Sequence, residues 1–179
     1  MELKGSKTEE CLRIALSGES QAAIKYHWYA KKAKKDGYEQ IAAIFEETAG
    51  NERAHAKIWF KYLHDGDVPT TTVNLQDAAA GEEYEWDDMY KKFEQIAREE
   101  GFTAIANKFA MVGAIEKTHM DRYRRLLKNI EEGIVFSRDG DRMWMCRECG
   151  HIHIGNNAPK ACPVCSHPQA YFELRPENY

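Results

Sequence analysis

Two short stretches, NERAH at 51–55 and EKTHM at 116–120, each place a Glu three residues ahead of a His. Residues three apart on a helix share a face. Each pair, Glu52 with His55 and Glu116 with His119, therefore offers a cation one carboxylate oxygen and one imidazole nitrogen. The spacing alone is weak, since a chain with 20 Glu and 7 His yields about one such pair by chance. Glu148 with His151, outside any helical stretch, is that accident. The helical pairs gain weight from further acids in phase with them: Glu19, Glu82 and Glu85. A second constellation lies near the C-terminus. CRECG (146–150) and CPVCS (162–166) set Cys146, Cys149, Cys162 and Cys165 at Cys-x2-Cys-x12-Cys-x2-Cys, four thiolates for one tetrahedral ion. That spacing leaves zinc and iron both open.

The acids need helices to bring them together. Ser6 and Glu9 have capping-box spacing, and a periodic segment follows as far as Gly37. A second helix is expected from about Glu39 to Gly66, a third from about Gln76 to Gly101, and a fourth from Thr103 to Gly133. Each stops at a glycine, which takes the left-handed cap at little steric cost. Tight turns join the first helix to the second and the third to the fourth. The middle connection, DVPTTTVNLQ, is longer and contains Pro69. Two helical hairpins joined by one long crossover make an all-α, ferritin-like four-helix bundle.

Steps of three and four residues trace an apolar stripe on every helix. The stripes are Leu12, Leu16, Glu19, Ala23, Tyr26, Ala30; then Ile41, Phe45, Thr48, Glu52, His55, Trp59. The third is Ala78, Glu82, Glu85, Met89, Phe93, Ile96, and the fourth Ile105, Phe109, Val112, Glu116, His119, Tyr123. Acid, or acid with His, interrupts each stripe midway, and none carries a Lys or Arg to neutralise it. Raising five buried Glu by about 3 pKa units each would cost about 4 kcal/mol apiece, more in sum than the net stability of a domain. A cation must offset most of that cost. Carboxylates with two imidazoles suit iron or manganese, and five Glu are too many for one ion. Two metals bridged by Glu52 and Glu116 would use all seven groups, with single Glu residues from two helices and Glu-x-x-His from the others. The third helix departs by offering two acids.

At 179 residues the chain suits a medium domain with a small appendage, here residues 1–135 and 136–179. A net charge of -4 gives no electrostatic case for nucleic acid or an anionic membrane. The N-terminus lacks an apolar signal core and no run is long enough to span a bilayer, so the chain reads as cytoplasmic. In a reducing compartment the four clustered cysteines bind metal, and Cys11 has an inert packing role within its helix. A module of about 40 residues is too small to hold together by core burial alone, so a metal clip is expected, with Trp144, Tyr171 and Phe172 packing its core.

Taken in order, SGESQA around Glu19, NERAH, GEEYEWDDMY, EEGF, IEKTHMDRY and the CRECG…CPVC pair resemble a rubrerythrin over nearly the whole chain. The resemblance implies a di-iron four-helix domain followed by a rubredoxin-like domain, with iron in the four-cysteine site. It implies a cytoplasmic, homodimeric peroxidase that reduces hydrogen peroxide in oxidative-stress defence. Electrons would come from a rubredoxin or an NAD(P)H-dependent reductase. It also implies bridging roles for Glu52 and Glu116, and terminal roles for Glu19, Glu82 and His119. Glu85 and His55 would exchange on one iron, and Tyr26 would hydrogen-bond ligands. The YKKF after Met89 departs from a family pattern that often has Pro after Tyr, which bears on a surface turn. A ferroxidase feeding iron storage is the alternative, and the cysteine module argues against it because ferroxidation needs no electron donor.

Overall fold

The computed structural model describes residues 2–177. Five α-helices precede a small sheet: α1 (Lys7–Lys35), α2 (Glu39–Tyr62), α3 (Thr71–Tyr84), α4 (Tyr90–Glu99) and α5 (Thr103–Glu131). The third expected helix is thus α3 and α4, joined without a break by a π-helical turn at Glu85–Met89. The chain divides into two compact units, Met1–Thr70 and Thr71–Tyr179.

The first unit is the α1–α2 hairpin. Ser6 caps α1, its Oγ accepting from the Glu9 N–H at 3.1 Å, while the Glu9 carboxylate accepts from the Gly5 N–H. Burial in this hairpin falls on small residues: Ala23, Ala30 and Ala33 of α1 against Ala42 and Ala49 of α2. The seven-residue steps from Ala23 to Ala30 and from Ala42 to Ala49 keep one narrow seam facing the neighbouring helix. Side chains this small let the two backbones approach closely. The larger apolar residues lie outside the seam, and Ile14, Ile24, Ile41, Ile44 and Ile58 remain 46–66% exposed.

In the second unit α5 packs on α3, the π turn and α4. Its seam again steps by seven, through Ala106, Gly113 and Met120. Phe93, Ile96 and Ile105, expected on the core-facing stripe, are 41–50% exposed. A hairpin has a single internal interface, and here small residues occupy it. Part of the apolar stripe still meets the partner helix, Tyr26 against Phe45 and Phe93 against Phe109, while Ile41, Ile96 and Ile105 stay exposed. Gly113 marks the tightest approach, since a Cβ there would lie 3.1 Å from the Tyr90 Cβ. Because Tyr90 Cβ is fixed to backbone, it cannot swing aside. Gly113→Ala is expected to cost about 1–3 kcal/mol by overpacking. A thermal melt followed by circular dichroism checks this, and an unchanged midpoint would mean that α4 and α5 separate freely.

The connection between the hairpins is shorter than its sequence suggests. Thr71–Gln76, expected in the crossover, already belong to α3, which leaves residues 63–70. This is still the longest helix–helix connection in the chain.

The C-terminal segment forms a three-stranded antiparallel sheet ordered β2-β1-β3, from β1 (Ser137–Cys146), β2 (Ile152–Asn157) and β3 (Phe172–Leu174). Its core is Trp144, Cys146, Ala158, Cys162 and Phe172. Trp144 is fully buried, and its indole N–H donates to the Gly155 carbonyl at 2.9 Å. Trp144 and Phe172 pack as expected. Tyr171 does not: it is 39% exposed, and its ring lies against His167 at 4.4 Å between centroids. Among the described residues no helix is long and apolar enough to cross a membrane.

Candidate metal centres

Each hairpin carries its own ligand cluster, and the two clusters have the same construction. In the first unit Glu19 of α1 joins Glu52 and His55 of α2, with one donor atom from each within 4.8 Å of the others. His55 Nδ1 lies 2.9 Å from Glu52 and 4.0 Å from Glu19. The second unit repeats this with Glu82 of α3 and Glu116 and His119 of α5. There His119 Nδ1 lies 2.8 Å from Glu116 and 3.5 Å from Glu82. Both sites follow from one local rule. A Glu-x-x-His pair projects from one helix, and the facing helix returns a single acid at the same level.

Neither cluster is closed. Glu52 and Glu116 are 17% and 13% exposed, whereas His55 and His119 are 50% and 38% exposed. No charged side chain among the described residues is fully buried. The carboxylates were expected deep in a core, and within each hairpin Glu52 and Glu116 are better shielded than the two imidazoles. The Glu52 carboxyl is held below its usual range, first by a hydrogen bond from Glu19 and then by one with His55. Oxygen and imidazole donors in this number fit iron.

Glu85 stands outside the second triad, at the first residue of the π turn. Burial pushes its carboxyl upward, and the neighbouring Glu116 and Glu82 add to the shift. Tyr90 had drawn no attention in the sequence. Its hydroxyl is pushed upward by burial, then by Glu85 and Glu116. The Tyr90 N–H donates to the Glu85 carbonyl five residues back, the π-helical bond. An α-helical count of threes and fours misses a partner at five. The YKKF segment continues this helix as an exposed turn, with Lys91 and Lys92 on the surface. Tyr26 lies in the first unit, its ring 6.1 Å from both Tyr29 and Phe45.

The four cysteines converge in the sheet module. Cys146 and Cys165 Sγ are 3.7 Å apart, and Cys149 and Cys162 Sγ 3.6 Å. A tetrahedron with metal–sulfur bonds of about 2.3 Å has edges of about 3.8 Å, so the cage is preformed. Burial works most strongly against ionising Cys162. The amides of Cys165 and Val164 nevertheless hold its thiol down at about 6, with help from the Cys165 and Cys149 thiols. At Cys165 the His167 amide favours the thiolate, but burial and the neighbouring sulfurs push it up to about 12. Crowded thiols ionise together only around a cation, which is how metal affinity couples to proton release. Cys11, expected to pack, is exposed on α1.

Comparison with known proteins covers both halves of the molecule. The family model Rubrerythrin matches residues 10–127, and the model "Rubrerythrin, rubredoxin-like domain" matches residues 144–173. Among curated relatives, Rubrerythrin-1 of Clostridium acetobutylicum is 50% identical, over 99% of this chain and 98% of that one. Rubrerythrin of Porphyromonas gingivalis is 46% identical, over 99% and 94%. Rubrerythrin of Nitratidesulfovibrio vulgaris is 45% identical, over 99% and 98%.

Proposed function

This chain belongs to the rubrerythrin family, and on that premise we propose that it is a cytoplasmic hydrogen peroxide reductase. It acts as a homodimer and is re-reduced by a rubredoxin or an NAD(P)H-dependent reductase through its own four-cysteine iron. The carboxylate site is a di-iron site and the cysteine site is rubredoxin-like. The observation that carries the reading is the matched pair of clusters, Glu19 with Glu52-x-x-His55 and Glu82 with Glu116-x-x-His119, on a chain that also holds a four-thiolate cage.

Residues to 135 form the peroxide-reducing bundle and residues from 136 the electron-passing module. Glu52, Glu116, Glu19, Glu82 and His119 would hold the two irons, Glu52 and Glu116 as shared ligands and the other three as terminal ones. When bound, two ferrous ions supply the two electrons that, with two protons, divide hydrogen peroxide into two waters, and the closed four-thiolate iron returns electrons singly. Five carboxylates nearly balance two divalent ions and hold them more tightly once both are ferric. Glu85, the surplus acid, would favour the harder ferric ion, and His55 the softer ferrous one. Tyr26, like Tyr90, orients ligand carboxylates by its hydroxyl.

The deciding experiment uses the iron-loaded chain, reduced anaerobically and mixed with one equivalent of peroxide. The bundle should oxidise within the mixing experiment, and visible colour bleached by dithionite should return. Growth of a large iron-filled shell under oxidant, without donor-dependent turnover, would overturn the reading in favour of iron storage.

Cys162→Ser separates the two sites in the full-length chain. An alkoxide is a harder and poorer ligand than a thiolate, so the visible spectrum and potential of the cysteine iron should shift and its retention fall. Oxidation of a pre-reduced di-iron site should survive. Loss of both functions with an intact helical spectrum would mean the division of labour is wrong.

A further inference from the structure

We propose that Trp86 and Lys117 form a clamp across the π turn, which holds Glu85 at a set distance from Glu116 and makes Trp86 a positioning residue for that acid. The proposal rests on the reading above in which Glu85 serves the ferric site. Its own support lies within the second compact unit, in the π turn, α4 and α5.

The π turn at Glu85–Met89 interrupts an otherwise α-helical run from Thr71 to Glu99. Such turns are rare and gather at functional sites. Widening the helix here pairs positions five apart. Tyr90 meets Glu85 through the backbone, and Lys91 meets Trp86 through side chains. The Lys91 ammonium lies 5.1 Å from the centre of the Trp86 ring. A second ammonium, from Lys117 of α5, lies 5.3 Å from the same ring. Both are inside the roughly 6 Å at which an indole face attracts a cation. Two cations on one ring would repel each other, but each has its own counter-charge four residues away. Lys91 Nζ donates to Asp87 at 2.6 Å, and Lys117 Nζ donates to Asp121 at 2.9 Å. Asp87, Lys91, Trp86, Lys117 and Asp121 thus make one chain of contacts from the π turn to α5.

The place of the crossing gives the clamp its role. Trp86 directly follows Glu85, and Lys117 directly follows Glu116. The clamp therefore ties two backbones together one residue beyond each of these acids. Glu85 lies outside the triad of Glu82, Glu116 and His119, so its place is set by the backbone that carries it. Trp86 is half-buried and lines the groove between α4 and α5 together with Tyr90, Phe109 and Gly113. The close Tyr90–Gly113 approach fixes how near α4 comes to α5. The clamp fixes the wider turn that precedes it.

Hydrogen exchange tests the clamp on the full-length, ferrous-loaded chain, read by mass spectrometry on the peptide 84–92. Trp86→Leu removes both cation–π contacts and should speed exchange there about tenfold. Trp86→Phe keeps an aromatic face and should restore most of the protection. Lys117→Met keeps the stem, removes the charge and should speed exchange about threefold. Added to Trp86→Leu, it should change nothing more. Peptides of α1 and α2 should exchange at the wild-type rate in every variant. If Trp86→Leu loosens those as well, Lys117→Met, which removes no packed ring, decides the clamp by itself. Wild-type exchange in both single variants, or additive effects in the double variant, overturns the clamp. Mixing the same ferrous-loaded chains with peroxide reads the positioning. Trp86→Leu and Lys117→Met should oxidise several-fold more slowly at unchanged ferrous affinity, and Trp86→Phe at close to the wild-type rate. Faster exchange with unchanged oxidation overturns the positioning role. If Glu85→Ala also oxidises at the wild-type rate, the reading of Glu85 falls instead, and exchange alone judges the clamp.

Discussion

Removing residues 134–179 is expected to abolish donor-dependent peroxide turnover while leaving the first encounter with peroxide intact. A truncated chain ending at Gly133 keeps all seven carboxylate-site residues and both hairpins. Reduced in bulk, it should consume about one peroxide per site and then stop. The expected loss in steady-state rate is large because tethering sets the local concentration of the electron source. A short tether holds its partner at about millimolar effective concentration, so a free donor at micromolar levels should work about 100- to 1,000-fold more slowly. The measurement is NAD(P)H consumption with a reductase and a rubredoxin, set beside single-turnover oxidation of the same sample. Equal steady-state rates for the truncated and full chains would remove the cysteine module from the electron route.

Glu85→Ala and His55→Ala are expected to fail in opposite directions. Four Glu and two His suffice for two ferrous ions, so without Glu85 the reduced site should still load. Oxidation by peroxide should then slow by about 100-fold or more, the cost of losing one ligand that stabilises the charged product of the step. Without His55 the reverse holds, with ferrous iron bound weakly and the oxidised site retained. Stopped-flow oxidation and ferrous titration of both variants read the two effects, and a melt beside each guards against a misfolded chain. Equal loss of ferrous binding in the two, with unchanged folds, would make Glu85 an ordinary fixed ligand. The π turn gives this prediction a local cause. It begins at Glu85, and its five-residue bond runs from the Tyr90 N–H to the Glu85 carbonyl.

Much of this chemistry was legible from residue type and spacing, because it is local. A Glu and a His three apart on a helix must share a face, and the structure holds Glu52 with His55 and Glu116 with His119 within 3 Å. Two Cys-x-x-Cys turns place four sulfurs at tetrahedral edges with little help from elsewhere. The Ser6 cap and the glycine stops at Gly37, Gly101 and Gly133 hold for the same reason: each is decided within one turn of backbone, and all three glycines have positive φ, whereas α2 ends at Tyr62, four residues before the expected Gly66.

What tertiary structure decided are quantities that belong to pairs of helices. Periodicity marks an apolar face without saying which neighbour it meets. The hairpin seams went to Ala23, Ala30, Ala42, Ala49 and Ala106, since only small side chains permit a close backbone approach. Ile41, Ile96 and Ile105 were left for another surface to cover. The start of α3 moved to Thr71 because Thr and Val have only a weak bias against helix, which packing on α5 overcomes. That shift of one boundary leaves residues 63–70 as the connection between the hairpins. Ligand identity is therefore a property of single helices. Which residues line the seam between two helices is a property of the pair.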